Sequence, residues 1–388
     1  MARVTGKYQT SVVGDERIRA FIPHPLPPSS PPLLIEGELA SLHADALAAI
    51  GRLAVAGAMV PSPSWFLYGF LRKEAVISSQ IEGTQATLMD VLAYEAAPKT
   101  PPAPDVEEVC NYLDALTFAR KELAKPKGLP LCTRLLCKVH ERLMHDTRGQ
   151  EKQPGVIRTS QNWIGGSRPG NATFVPPPHE AVPEALGQLE RWIHGKAPLP
   201  PLVRAGLAHV QFETIHPFLD GNGRIGRLLV TLLVEHWGLL DSPLLYLSLA
   251  FKRHRAEYYR ALLEVRTNGD WEGWTSFFLR CVREAAEDGV NAAKRLFALL
   301  GKDRKAVTHR EATTIYAVRL LDLLPDHPMI TLPKAIELLE TTKPTAGKAI
   351  EALLKAGVLR ETTGRQRDRV YAYEAYLKVL SEDTNTIP

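Results

Sequence analysis

A histidine, an aspartate, a glycine-rich turn and two arginines lie within twelve residues, HPFLDGNGRIGR, from His216 to Arg227. His216 can accept a proton, and Asp220 can hold a divalent cation. The glycines of the GNG turn let the backbone approach a phosphate chain closely, because they lack side chains and tolerate positive φ. Arg224 and Arg227, three residues apart on a helix, face one side and can clamp the same polyphosphate. The segment therefore predicts transfer of a phosphate-containing group.

The residues after the turn, RIGRLLVTLLVEHW, indicate a buried helix. Its first turn would direct free N–H groups and the positive end of the helix dipole at an anion. GNGRIG also matches the dinucleotide-binding pattern G-x-G-x-x-G, but that site requires a preceding apolar strand, and HVQFETIHPF shows no strand alternation. A kinase glycine-rich loop is excluded because neither H-R-D-L-x-x-x-N nor D-F-G follows. An ordinary capped loop would not explain the four charged or titratable side chains.

The chain as a whole has the composition of a multidomain globular protein. It has 388 residues, 45% of them hydrophobic, and a formal net charge of +4, which is too small to indicate nucleic-acid binding by itself. The N-terminal residues contain no apolar run typical of a signal peptide. The most hydrophobic stretch, Leu228–Leu249, is interrupted by Glu235, His236 and Asp241, so we expect a core element and not a membrane span. We expect a cytoplasmic protein with reduced cysteines and no membrane partner.

Helical periodicity is the main secondary-structure signal, and strand signals are few. The proline-rich segment Ile22–Leu33 is expected to pack as a rigid arm over the core, and Asp105 is a predicted N-cap of the helix through Leu123. HERLMH resembles a zinc motif, but His140 and His145 lie about 140° apart around a helix and cannot share one metal ion. Predicted helices cover 40–56, 64–81, 105–123, 130–145, 180–194, the motif helix, the YYRALLEV segment and the segment that begins at TSFFL.

The character of the sequence changes after about Gly301. The pattern predicts a helix over Leu332–Leu339, a turn at TTKP, a second helix over Thr345–Ala356 and two strands around Gly364, which is similar to a winged helix-turn-helix. Contact with nucleic acid and contact with protein are both left open, because fold does not determine function. The cations that could meet a phosphate backbone are Lys343, Lys348, Arg365, Arg367 and Arg369.

HPFLDGNGRIGR resembles the signature of the Fic family, H-[PA]-F-x-[DE]-G-N-G-R-x-x-R, at every defined position. Upstream, RTSQNWIGG and ATFVPPPHE, within Arg158–Glu180, are similar to the flap hairpin that lies over the active site of that family and aligns the target segment. Phe174 and Val175 are the corresponding flap residues. The resemblance covers roughly residues 10 to 290, and a winged helix is the usual tail of this class of Fic proteins.

A second motif, SSQIEG, matches the inhibitory motif of the family, [ST]-x-x-x-E-[GN], from Ser78 through Glu82 to Gly83. The resemblance implies that Glu82 pairs with Arg227, fills the place of the γ-phosphate and misaligns ATP. Ser78 would help to hold the inhibitory helix by a hydrogen bond.

The activity that the resemblance implies is protein adenylylation (AMPylation), the transfer of AMP from ATP to Ser, Thr or Tyr hydroxyls of target proteins and of the chain itself. His216 would remove the hydroxyl proton, and Asp220 would hold Mg²⁺ between the α- and β-phosphates. Arg224 would meet the β-phosphate and Arg227 the γ-phosphate. Tyr258 or Tyr259 would line the adenine pocket, with core packing as the alternative. The remaining expected nucleotide-site residues are Phe218, packing inward to fix the loop, and Gly221, Asn222 and Gly223, cradling the phosphates.

The fold prediction is a mostly α protein, with a Fic-fold helical core, a small β-hairpin flap, a helical N-terminal region and a C-terminal winged helix-turn-helix. The predicted domains are residues 1–104, 105–300 and 301–388, and we expect a homodimer. Three alternatives for the function stay open: transfer of another nucleotide or phosphate group, removal of AMP, and a DNA-binding regulator with a nucleotide-sensing core. Gly223 argues against the phosphate-transferring branch of the family, which has a lysine there.

Overall fold

The computed structural model describes residues 3–59, 63–97, 101–147, 150–310 and 314–384, and most of them are helical. Two hydrogen-bonded strands open the chain, and three short strands form a second sheet near its end, in the order β3-β5-β4. The predicted mostly α fold is confirmed. In chain order the elements are β1 (Gly6–Val13), β2 (Glu16–Pro23), α1 (Gly37–Ala58), α2 (Pro63–Ile81), α3 (Leu88–Ala96), α4 (Pro104–Ala124), α5 (Thr133–Leu143), α6 (Val182–His194), α7 (Pro201–Ile215), α8 (Asn222–His236), α9 (Leu247–Arg253), α10 (Arg255–Asn268), α11 (Trp271–Thr308), α12 (Ile315–Leu323), β3 (Met329–Thr331), α13 (Leu332–Leu339), α14 (Lys343–Lys355), β4 (Arg360–Glu361), β5 (Val370–Ala372) and α15 (Glu374–Leu380).

The chain divides into two compact units. Unit 1 comprises residues 1–51 and 111–285, and unit 2 comprises residues 52–110 and 286–388. Helices α1, α4 and α11 each contribute residues to both units. The predicted domain boundary at residue 300 therefore falls inside the 38-residue helix α11.

Helices α7 and α8, which flank the motif turn, pack against each other in unit 1. Every residue of α7 from Leu202 to Ile215 is buried, so this helix presents no polar face to solvent. Gly206 allows α7 to pack closely on α11, and Gly226 allows α8 to pack closely on α7. A Cβ on Gly206 would lie 2.8 Å from the Phe278 ring, and a Cβ on Gly226 would lie 2.3 Å from the Glu213 carboxylate.

Strands β1 and β2 form an antiparallel hairpin that the sequence analysis did not predict. Val13 pairs with Glu16, which leaves a two-residue turn in which Gly14 has a φ of 59°, a value that glycine adopts without strain. Ala20 and Phe21 of β2 are buried, whereas Tyr8 and Val12 of β1 are exposed. The hairpin therefore packs on unit 1 through β2.

The boundaries of the predicted helices are largely confirmed, with one correction. Helix α2 ends at Ile81, immediately before the predicted stop at Glu82–Gly83. The predicted N-cap Asp105 instead lies inside the first turn of α4, which begins at Pro104. Its carboxylate accepts the backbone N–H of Gln85 at 2.6 Å, so it links two segments of unit 2 and does not cap its own helix.

The C-terminal part of unit 2 contains the predicted helix Leu332–Leu339, observed as α13, and a second helix at Lys343–Lys355. The two predicted strands occur as β4 and β5, which pair antiparallel on either side of Gly364. Strand β3 pairs with the other edge of β5. The five cations named above are all exposed.

Helix α1 is the one helix among the described residues that is long and apolar enough to cross a membrane, with a mean hydropathy of 1.3 over its most apolar window, 22% of which is buried. Asp45 of α1 lies 3.6 Å from Arg283 within unit 1, and Arg52 lies 3.5 Å from Glu287 within unit 2. Charged residues that pair with neighbouring helices favour a helix packed on protein over a membrane span.

Candidate active site

The predicted base, His216, stands at the C-terminal end of α7 in the left-handed conformation, with φ 50° and ψ 61°. Its N–H donates to the Phe212 carbonyl at 2.9 Å and closes the last helical turn. Pro217 follows, and a proline disfavours the helical conformation at the residue before it, so the helix ends here. A residue other than glycine in this region of φ and ψ is strained and persists only where its surroundings hold it.

Arg158 stabilises this conformation of His216 through several hydrogen bonds. Its Nε donates to the His216 carbonyl at 2.9 Å, and its backbone N–H donates to the Pro217 carbonyl at 2.9 Å. Its Nη2 donates to Pro177, at the end of the flap segment, at 2.6 Å. Burial lowers the pKa of Arg158 to about 10, which leaves the guanidinium charged at neutral pH. Arg158 therefore fixes the His216 turn and the end of the flap with one side chain.

The electrostatic surroundings of His216 keep its ring neutral. Burial lowers the pKa of His216 to about 3, and the positive charges of Arg266 and Arg158 lower it further in the same direction. The side chain is 19% exposed, and its Nδ1 is buried 3.9 Å from Oε2 of Glu213. Nε2 is therefore the ring nitrogen that a substrate proton can reach, and a neutral ring can accept that proton.

Arg266 of α10 connects the His216 turn to the flap. Its Nη2 donates to the Glu213 carbonyl at 3.0 Å and its Nε donates to the Thr214 hydroxyl at 3.1 Å. Its guanidinium carbon lies 4.2 Å from the centroid of the Phe174 ring, which is a cation–π distance. Burial lowers the pKa of Arg266 to about 10. Neither Arg266 nor Arg158 was predicted from the sequence to be a site residue.

The loop between His216 and α8 is closed by Asn222. The Asn222 side chain accepts the Phe218 N–H at 2.9 Å through Oδ1 and donates to the Phe218 carbonyl at 2.8 Å through Nδ2. Asn162 donates to the same carbonyl at 3.0 Å. Phe218 is 1% exposed and stacks on the His140 ring at 3.9 Å, the inward packing that the sequence predicted. The Asn222 side chain thus closes the loop on Phe218.

His140 has a fixed tautomer. Its Nδ1 accepts the Gly155 N–H at 2.8 Å, so its Nε2 carries the hydrogen and donates to the Asp220 carbonyl at 3.0 Å. Burial lowers the pKa of His140 to about 4, and the charge of Arg224 acts in the same direction. One histidine of HERLMH therefore supports the motif loop, whereas the side chain of His145 is 70% exposed.

The motif turn leads into the N-terminus of α8. Gly221 precedes the helix with a φ of 73°, and a Cβ there would lie 2.9 Å from the Met144 sulfur, so the position requires glycine. Gly223 lies in the first turn and is partly exposed. The N–H groups of a first helical turn have no acceptor within the helix and attract an anion. Arg224 and Arg227, 4% and 3% exposed, follow on the same helix.

Asp220 lies at the solvent side of this turn, with 49% of its side chain exposed. Its Oδ1 accepts the Gly221 N–H at 2.5 Å and lies 3.9 Å from Nη2 of Arg224. No cluster of three or more His, Cys, Asp or Glu residues that could hold a metal ion occurs in the described ranges. A single accessible carboxylate fits Mg²⁺, which keeps several waters and shares its remaining ligands with substrate phosphates.

The two candidate adenine-pocket tyrosines have different surroundings. Tyr258 is 1% exposed, and its hydroxyl lies 2.8 Å from Nε2 of His209, whose Nδ1 contacts the Gly226 carbonyl at 3.0 Å. Burial lowers the pKa of His209 to about 3, so this buried pair is neutral. Tyr258 is thus packed in the core, which was the alternative to a role in the adenine pocket. Tyr259 is 42% exposed, and the adenine-pocket role stays a prediction for it.

The flap is a short ribbon in which Ile164 and Phe174 exchange backbone hydrogen bonds of 2.8 and 3.1 Å. Gly165 and Gly166 have φ values of 70° and 73° and turn the chain between these two residues. Phe174 is 7% exposed, whereas Val175 is half-buried. The side chain of Phe174 therefore anchors the flap.

The predicted inhibitory residues lie in unit 2. Ser78 is fully buried in α2, Glu82 is exposed in the turn after that helix, and Gly83 has a φ of 101°. Thr84, also buried, donates to the Glu108 carboxylate at 2.6 Å and fixes the end of the turn. The pairing of Glu82 with Arg227 stays a prediction.

Residues 40–121 match the family model Fic_N, described as the N-terminal part of the Fic/DOC family, and residues 130–234 match the Fic model of the same family. Protein adenylyltransferase fic-1 of Caenorhabditis briggsae is 29% identical over 189 residues, which are 48% of this chain and 34% of that protein. A probable protein adenylyltransferase of Aquifex aeolicus is 37% identical over 93 residues, or 24% of this chain and 27% of that one.

The matched segments therefore span about a third or less of the length of these relatives. Among solved structures, a Fic family protein from Desulfovibrio desulfuricans superimposes with a TM-score of 0.57 at 22% identity, and the match covers 88% of this chain and 98% of that one. This likeness confirms the fold.

Proposed function

This chain belongs to the Fic/DOC family, and we propose that it is a protein adenylyltransferase, which transfers AMP from ATP to a hydroxyl side chain and releases pyrophosphate. The observation that carries the proposal is the structure of the segment that connects α7 to α8. There, a neutral histidine with one accessible ring nitrogen directly precedes a helix N-terminus that contains two buried arginines. The names of the relatives quoted above point to the same activity.

His216 acts as the general base. A Ser, Thr or Tyr hydroxyl is a weak nucleophile, and Nε2 of His216 takes its proton as the oxygen attacks the α-phosphorus. A pKa of about 3 is low for a base, and Arg266 and Arg158 contribute to that depression. The negative charges of bound ATP oppose these cations and raise the pKa of His216. The base therefore becomes stronger when the nucleotide is in place.

The phosphates bind at the first turn of α8. Free N–H groups around Gly221 and Gly223 face the polyphosphate, with Arg224 at the β-phosphate and Arg227 at the γ-phosphate. Gly223 leaves this cradle open, which favours nucleotidyl transfer over the lysine-containing, phosphate-transferring branch. The Asp220 carboxylate would hold Mg²⁺, which supplies positive charge to the α- and β-phosphates when bound.

Regulation is by Glu82. We propose that its carboxylate pairs with Arg227 in place of the γ-phosphate and that buried Ser78 helps to hold α2. The exposure of Glu82, one residue beyond the end of α2, supports this because a pairing carboxylate must be accessible. The same carboxylate could orient a water molecule for removal of AMP, and that reverse reaction is the second candidate.

The C-terminal part of unit 2 is proposed to be a winged helix that binds nucleic acid or protein. Its support is the order α13, α14, β4 and β5 together with five exposed cations. A homodimer and a cytoplasmic location complete the proposal.

The activity is tested with ATP labelled separately at the α- and γ-positions. We expect the purified chain, with the Glu82→Gly substitution, to incorporate the α-label into protein and to release the γ-label as pyrophosphate. Incorporation of the γ-label alone would identify a phosphotransferase and overturn the proposal. Incorporation of neither label, with ATP bound, would favour a nucleotide-sensing regulator.

A further inference from the structure

The N-terminal hairpin contacts the flap at two separate places. The first contact is on strand β2, where the Phe21 N–H donates to the Val175 carbonyl at 2.9 Å. The Phe21 ring meets the Phe174 ring edge-on, with the centroids 6.0 Å apart. The inner strand of the hairpin therefore extends the flap by one backbone hydrogen bond and one aromatic pair.

The second contact is at the tip of the hairpin. Glu16, the first residue after the β-turn, forms an ion pair with Arg168 of the flap. The other oxygen of the same carboxylate accepts the Gly170 N–H at 2.5 Å. The side chains of Glu16 and Arg168 are 29% and 63% exposed, so neither belongs to the core of unit 1. These two bonds have no role in the fold of the hairpin itself.

The hairpin is anchored at its other end. Arg3 donates to the Gly269 carbonyl at 2.9 Å and pairs with the Glu272 carboxylate at 2.7 Å. Gln211 of α7 donates to the His24 carbonyl at 2.9 Å, just after β2 ends. The hairpin is thus fixed to α7 and to the start of α11, and its tip extends to the flap.

Short-range hydrogen bonds close the tip of the flap, such as the bond from the Arg168 N–H to Asn171 Oδ1 at 3.0 Å. Its two sides are joined by the Ile164–Phe174 bridge, with two left-handed glycines between them. An isolated two-stranded ribbon is marginally stable in water. A flap of this kind requires contacts from outside. Arg158 bonds to its end at Pro177 and Arg266 stacks on Phe174, and the hairpin adds contacts at both ends of the segment from Arg168 to Val175.

We propose that the hairpin Gly6–Pro23 holds the flap in the position from which a target segment is presented to His216, with Glu16 and Phe21 as positioning residues. The presentation of a target rests on the proposed adenylyltransferase function. The claim that the hairpin fixes the flap rests on the contacts of Phe21 and Glu16 with the flap. The two parts are tested by different measurements on the same variants.

The first measurement is hydrogen exchange of the flap peptide in the full chain. Glu16→Ala removes the ion pair and the bond to Gly170, and we expect the amides of Ile164 and Phe174 to exchange about two- to fivefold faster, the range for an exposed ion pair. Glu184→Ala is the matched control, because Glu184 forms an exposed ion pair with Arg191 inside α6 and bonds to Gln188 of the same helix. The control should leave flap exchange unchanged.

The second measurement is self-modification by α-labelled ATP in the Glu82→Gly background. Glu16→Ala should lower its initial rate about two- to fivefold with an unchanged KM for ATP, because the Glu16 carboxylate bonds to Arg168 and Gly170 of the flap. Charge exchange, Glu16→Arg together with Arg168→Glu, should restore part of the rate. It cannot restore all of it, since an arginine at position 16 cannot accept the Gly170 N–H.

Each possible failure has its own meaning. Equal flap exchange in Glu16→Ala and Glu184→Ala would overturn the hold on the flap. Faster exchange with an unaltered transfer rate would overturn the positioning role. No α-label in any variant would overturn the proposed function and, with it, presentation of a target, while the exchange experiment would still decide whether the hairpin holds the flap.

Discussion

The turn that carries His216 and the turn that carries Glu82 both follow the last residues of a helix, yet they are held differently. His216 is strained into the left-handed region and fixed by Arg158, and Arg266 binds the preceding Glu213 carbonyl. Glu82 is exposed, and the positive φ after it is on a glycine. Strain at a catalytic position requires surrounding hydrogen bonds, whereas a regulatory carboxylate at the surface can exchange one partner for another. Substitutions around His216 should therefore affect stability and activity together, whereas replacement of the exposed Glu82 side chain should mainly affect activity.

The largest expected effect is that of pH on unit 1. His140, His209 and His216 have folded-state pKa values of about 4, 3 and 3, below the unfolded value of about 6.5. The unfolded chain therefore binds protons first, and stability that is present above about pH 6.5 is lost as the pH falls toward 3. At pH 5 each histidine should cost about 2 kcal/mol, or about 6 kcal/mol in all.

Hydrogen exchange measured at several pH values, corrected for the intrinsic rate, checks this difference between the units. Protection of α7 and α8 should fall between pH 7 and 5 more than protection of α13 and α14. Unit 2 also has a histidine whose pKa burial lowers, His327, but unit 1 has the three with the values given above. Equal losses in the four helices would contradict the account of the buried histidines.

The next effect concerns Arg158. Arg158→Met removes the shorter of the two donors to each of the His216 and Pro177 carbonyls and leaves only the 3.5 Å bonds from Asn162 and Gln161, which should cost about 2–3 kcal/mol of unfolding free energy. Release of the His216 turn should also lower transfer by about 10-fold or more, since misplacement of a catalytic group is costly. Urea unfolding and the initial rate of α-label transfer measure the two losses.

Arg204→Met is the matched control for this substitution. Arg204 is also buried and donates to three carbonyls, those of Trp192, Ile193 and Gly195, at the end of α6. It should cost a similar unfolding free energy and leave the transfer rate of the folded protein unaltered. Equal rate losses in the two variants would mean that Arg158 acts through stability alone.

A smaller effect separates two glycines with positive φ. Gly221→Ala places a Cβ 2.9 Å from the Met144 sulfur, whereas a Cβ on Gly83 meets no atom within 4 Å. Both alanines are strained by about 1 kcal/mol, and the clash adds about 1 kcal/mol more at position 221. Gly221→Ala should lower the affinity for ATP, and Gly83→Ala should not. Isothermal titration with ATP and thermal unfolding give the comparison, which fails if both variants lose affinity alike.

Residues that are close in sequence were the ones that could be predicted. The motif places its base, its carboxylate, its glycines and its arginines within twelve positions, so their proximity follows from the chain itself. Gly83 predicted the end of α2, and the helical spacing of apolar residues predicted the bounds of α13.

The supporting residues could not be predicted in this way. Arg158, Arg266 and His140 reach the motif turn from other segments, and no local spacing connects them with it. The buried helix α7 lacks a polar face, so it has no amphipathic period. The β1–β2 hairpin did have a signal, a Gly–Asp pair between two β-rich runs, that the sequence analysis did not use.

The central claim is that the Glu82 carboxylate inhibits AMP transfer at the site of His216. Its most direct measurement is the initial rate of α-label transfer by the wild type, by Glu82→Gly and by Glu82→Gly with His216→Ala. Glu82→Gly should raise the rate about 5- to 150-fold, the range of coupling between sites, and the added His216→Ala should lower it by about 10²–10⁴. Arg227→Ala should not reproduce the gain, because it removes the γ-phosphate contact as well. Equal rates for the wild type and Glu82→Gly would contradict the account.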